Sequence, residues 1–132
     1  MIFHEEERST TVVLTTYAMA HPHARLLIEF GEQESYIGAF DTTYESDNSG
    51  ELDIEMEDPR YDEFRQVSYG VLEIIQDGPR RFRDVRSTPQ KDWLTIDYRD
   101  FPTRVVDVDR GVVVYPVDAS GQAGESESPA SA

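Results

Sequence analysis

The chain has 132 residues with 27 acidic and 12 basic side chains, a net charge of −15, and no cysteine. That length suits one domain with one core, and the missing thiols exclude disulfides and thiolate metal sites. No stretch is apolar enough for a membrane-spanning helix, and the start, with Glu5-Glu6-Glu7 directly after His4, is unlike a secretory signal.

In chain order, residues 1–9 read as a flexible, polar lead-in. A single α+β domain is expected over 10–118, and a disordered tail rich in Ser, Ala and acid over 119–132. Thr10 to Tyr17 is β-branched and aromatic, which predicts a first strand. After the His21-Pro22-His23 break, Arg25–Phe30 and Ser35–Tyr44 read as two more strands, separated by Gly31. Asp47-Asn48-Ser49-Gly50 is a turn cluster, and Leu52, Ile54 and Met56 alternate with acids as a fourth, half-buried strand would.

A helix is predicted over 59–77. Asp58 suits the N-cap and Pro59 the first turn. Tyr61, Phe64, Val67, Val71, Ile74 and Ile75 recur at three- and four-residue spacing, and Gly78-Pro79 suits the stop. Beyond a polar segment, strands are expected at 93–98, 103–108 and 112–117, the last two joined by a tight turn at Asp109-Arg110-Gly111. The expected fold is therefore α+β: a mostly antiparallel sheet of six or seven strands with one central helix packed on one face. A single helix cannot cover both faces, so the sheet either curls into a partial barrel or leaves one face polar.

The basic residues are unevenly chosen, because Lys91 is the only lysine and the other eleven are arginine. At low ionic strength a charge of −15 repels itself, and molar salt shortens the Debye length to about 3 Å and screens that repulsion. Arginine also pairs carboxylates bidentately where lysine cannot. Acid excess, one lysine and no cysteine together resemble the proteins of halophilic archaea. The resemblance implies a cytoplasmic protein working in concentrated potassium salt.

Two local features stand out. Arg80, Arg81, Arg83, Arg86 and Lys91 fall within 12 residues, flanked by Phe82 and Trp93. Such a segment could contact the phosphates of nucleic acid, or serve only to close internal ion pairs. His21 and His23 could offer two imidazoles to a metal, or be two exposed loop histidines. Carboxylates are too numerous to single any out, and no nucleophile elbow, phosphate-cradling glycine loop or Cys–His pair is present. No cofactor is implied. These features favour a non-enzymatic interaction or regulatory domain with a protein partner. A nucleic-acid-binding regulator using the basic segment is the alternative, as is an acidic nucleic-acid mimic of the immunity, antitoxin or anti-defence kind.

Overall fold

The computed structural model describes the backbone of residues 3–83, 87–117 and 123–125, and the side chains of these except 82, 83 and 123–125. A 3-10 turn, Glu5–Ser9, leads into helix α1, Thr11–Ala20. Strands β1 (Arg25–Phe30) and β2 (Glu34–Asp47) follow, then a single helical turn α2 (Ser49–Leu52) and strand β3 (Glu63–Gln76). Helix α3 (Pro79–Arg83) precedes β4 (Trp93–Ile96), β5 (Arg104–Asp107), β6 (Val112–Val117) and the short β7 (Ala123–Glu125). All pairings are antiparallel, in the order β4-β3-β2-β1-β5-β6-β7. The expected α+β fold with a helix on one face of an antiparallel sheet is what forms, and the sheet stays open instead of curling into a barrel.

The core lies between α1 and one sheet face. Leu26, Ile28 and Phe30 of β1 point there by strand alternation, joined by Tyr36, Val67, Tyr69, Leu94, Ile96, Val105 and Val114. From above, α1 contributes Thr11, Leu14 and Ala18, spaced as one helical stripe. Gly31 and Gly111 both have positive φ, +66° and +68°, as tight turns after β1 and before β6 require.

Three expected elements are corrected. The segment 10–17 is helical, because burying the Thr11–Leu14–Ala18 stripe outweighs the weak helix propensity of its threonines and valines. The predicted helix 59–77 is the long strand β3. Its start signal is real but local: Asp58 Oδ1 accepts the Arg60 N–H at 2.8 Å and Asp58 O accepts that of Tyr61 at 2.9 Å, making one turn only. Gly78-Pro79 stops nothing, and Pro79 instead begins α3. The predicted strand over 51–57 is instead α2 and the loop after it, with Asp53 left-handed at φ 55° and Leu52 and Met56 exposed.

In the expected lead-in, the described residues from Phe3 on include the 3-10 turn Glu5–Ser9. Glu7 is buried, and its carboxylate accepts the backbone N–H groups of Phe3 and Arg65, both at 2.7 Å, stitching the N-terminal turn to β3. Of the expected tail, 119–122 and 126–132 lie outside the described residues, and Ala123–Glu125 pairs with β6.

Candidate functional site

In the described part of the basic segment, Arg80 and Arg81 are both tied to carboxylates. Arg80, at the start of α3, turns inward between two acids. Its Nη1 donates to Glu34 Oε1 at 2.5 Å and its backbone N–H to Glu34 Oε2 at 2.8 Å. Its Nε and Nη2 donate to the two oxygens of Asp100 at 2.9 and 2.7 Å, while the guanidinium lies 4.2 Å from the centre of the Phe30 ring. Glu34 is only 2% exposed and also accepts the Tyr36 hydroxyl. Burial, and then that carboxylate, push the Tyr36 phenol well above its usual range. A side chain at position 78 would run into Glu34, so Gly78 makes room for the buried acid.

Arg81 faces a different pair. Nε and Nη2 grip Asp77 at 2.6 and 2.7 Å, and Nη1 reaches Asp92 at 3.1 Å. Lys91 lies over Gly70, with Nζ 5.2 Å from the centre of the Trp93 ring. The side chain of Arg83 and all of Arg86 lie outside the described residues. Arg80 and Arg81 thus fasten the segment to the sheet. Their hydrogen-bonding capacity is already committed to carboxylates.

A second arginine, Arg99, repeats the arrangement nearby. It holds Asp97 through Nε and Nη2 at 3.0 and 2.8 Å, reaches Glu51 at 3.2 Å, and stacks 3.7 Å from the centre of the buried Phe64 ring. Arg80 and Arg99 border a cavity of about 490 Å³ whose other walls include Gln66, Thr95 and the partner acids.

His21 ends α1, and a turn closed by the Ala24 N–H on His21 O at 3.2 Å carries His23. Both line a cavity of about 400 Å³ together with Asp109 and Arg110. Among the described residues no three His, Asp or Glu side chains converge as metal ligands. The two histidines line one cavity with Asp109, whose carboxylate Arg25 already holds.

The outer end of β3 was missed in the sequence, where Ile74 and Ile75 were assigned to the buried face of a helix. On its outer side, β3 pairs with β4 only from Val67 to Gly70, and among the described residues no strand covers it beyond. On its inner side, the register against β2 skips Leu72 and Ile75, which are bulged residues. Bulges re-aim side chains. Leu72 and Ile75 are 53% and 51% exposed, and Ile74 between them 39%. The density of β-branched residues after Gln66 was the available signal.

These features define an open-sheet α+β domain with an apolar strand end, inward-tied arginines and a histidine-lined cavity. Compared with family models, curated proteins and solved structures, the chain matches none.

Proposed function

We propose that the chain is a salt-adapted, non-enzymatic protein-interaction domain of the cytoplasm that docks a protein partner on the outer end of β3. The observation that carries this reading is the exposure of Leu72, Ile74 and Ile75 on a strand end that β2 pairs on one side and that no strand covers on the other among the described residues. An acidic surface has ample charge with which to cover itself, so grouped apolar side chains on an edge mark an interaction site. The two bulges blunt the edge against indiscriminate strand pairing, leaving side-chain burial as the means of recognition. A protein partner is preferred over nucleic acid because Arg80 and Arg81 already hold carboxylates.

The test is recovery of a partner by the tagged chain from its own cell extract in molar potassium chloride, beside Leu72→Lys and Ile75→Lys. Burying one such side chain contributes about 1.5–3 kcal/mol, so each variant should lose about tenfold or more in binding while melting like the parent. An undiminished stoichiometric complex with both variants, or no such complex at any salt, defeats the proposal. The melting temperature of the unbound chain should also rise from dilute buffer to molar salt. Greatest stability in dilute buffer would remove salt adaptation from the reading.

A further inference from the structure

Of the three histidines, His4 is taken up by Asp62, with Nε2 to Oδ1 at 2.6 Å, and both others line the cavity beside the C-terminal end of α1. Around that cavity the acids are already occupied. Asp107 is fully buried. Burial pushes its carboxyl up, but the Tyr17 hydroxyl, the backbone N–H groups of Arg110 and Asp109, and the Arg110 guanidinium together hold it below the usual carboxylate range. Asp109 accepts the Arg25 backbone N–H, Nε and Nη2 at 3.0, 3.0 and 2.6 Å. Among the described residues Arg110 gives only Nη1 to Asp107, at 3.0 Å, and its other donors have no partner there. Among the described residues no acceptor takes a ring N–H of His21 or His23. The ring of His21 is held by stacking on Tyr17, with centroids 4.7 Å apart.

The local charge balance follows from these pairs. Asp107 and Asp109 lie against Arg110 and Arg25, and Glu73 also acts on Arg25. Elsewhere the chain carries a large acid excess. Here His21, His23 and Arg110 line one cavity with Asp109, whose carboxylate Arg25 already holds. We propose that this cavity is an oxyanion-binding site, holding a phosphate or carboxylate group between His21, His23 and the open donors of Arg110. The volume of about 400 Å³ accommodates a small molecule bearing such a group.

The test follows the histidine ring resonances by NMR in dilute, chloride-poor buffer at about pH 6, where histidine is partly protonated. Inorganic phosphate and acetate are titrated separately. Tyr17 stacks on His21, Asp109 and Arg110 line the cavity with both rings, Arg25 and Asp107 pair with these two, and Glu73 acts on Arg25. Saturating shifts at His21 and His23, with His4 unmoved, are expected. Saturation by phosphate alone identifies a phosphate site, and saturation by acetate as well identifies a general oxyanion site. Arg110→Gln, in an exposed turn, and His23→Ala should each weaken the response about tenfold. The His4 resonance reports whether each variant keeps the fold. The inference is overturned by shifts that do not saturate, by equal movement of His4, or by undiminished binding in both variants. It is equally overturned if zinc ions saturate the rings and neither anion does, which would make the pair a metal site.

Discussion

Replacing Arg80 with Ala separates an architectural arginine from a phosphate-contacting one. The substitution strips a 2% exposed carboxylate, Glu34, of its charged partner. Removing one member of a buried ion pair costs about 3–5 kcal/mol, because the remaining charge stays desolvated. Glu34 keeps the Tyr36 hydroxyl and the backbone N–H at position 80, which argues for the lower end. The lost guanidinium over Phe30 adds about 0.5–1 kcal/mol, and the half-exposed Asp100 contributes little. A loss of about 3.5–4 kcal/mol follows, or roughly 10–20 °C in melting temperature for a domain of this size. The control is Arg8→Ala, which breaks a pair with Glu5 whose side chains are 67% and 81% exposed, and should stay within about 0.5 kcal/mol. Urea and thermal melts in molar potassium chloride suppress surface pairs and leave the buried one. Adding Glu34→Gln to Arg80→Ala should restore part of the loss, since no buried charge is then stranded. If Arg80→Ala melts with Arg8→Ala, Arg80 does not hold the fold, and the nucleic-acid reading regains its ground.

Tyr69 is fully buried and its hydroxyl has no hydrogen-bond partner among the described residues, so Tyr69→Phe removes an unsatisfied polar atom and should leave stability unchanged or raised by up to about 1 kcal/mol. A clear loss in the urea midpoint would mean that the hydroxyl is satisfied after all. Alkaline stability provides a second check. Burial, followed by hydrogen bonding to Asp62, lifts Tyr98 to about 12, and burial likewise lifts Tyr17, Tyr36 and Tyr69. These phenols ionise near 10 when unfolded, so the folded state holds more protons above that pH. The contribution of these phenols should thus be constant below about pH 10 and be lost as pH rises toward 12 and beyond. Tyrosinate absorbance from these four should appear together with the loss of circular dichroism. Their complete ionisation in a folded chain would contradict the burial described here.

The sheet was legible in the sequence where strands meet ordinary conditions, and the errors have physical causes. β1, β4, β5 and β6 are short and alternate or run apolar between turn residues, so a period-two reading finds them. β3 breaks that period twice over. Its middle, Val67 to Gly70, is buried in an unbroken run: Val67 and Tyr69 enter the core, while Lys91 and Trp93 lie against Gly70 from the other side. Its end is offset by the bulges at Leu72 and Ile75. Two-sided burial followed by two parity shifts spaces the apolar residues as a helix would. The opposite error at α1 has the opposite cause. There, β-branched propensity pointed to a strand, but tertiary burial of one stripe and the anchoring of the preceding turn through Glu7 decided for a helix.

The basic segment shows why sequence proximity misleads about charge. Arg80 and Arg81 are neighbours in the chain, yet Arg80 is held by an acid 46 residues earlier and another 20 residues later, whereas Arg81 is held by Asp77 and Asp92. Local counting sees the cations and cannot see distant acids brought beside them by sheet order. Composition was the better guide here. Arg60, Arg80, Arg81 and Arg99 each present Nε and Nη2 to the two oxygens of one aspartate, at Asp58, Asp100, Asp77 and Asp97 respectively. A lysine ammonium cannot make that fork, so the near-absence of lysine has a structural counterpart in these pairs. The arginines whose partners lie far apart in the chain cross-link segments of an open sheet.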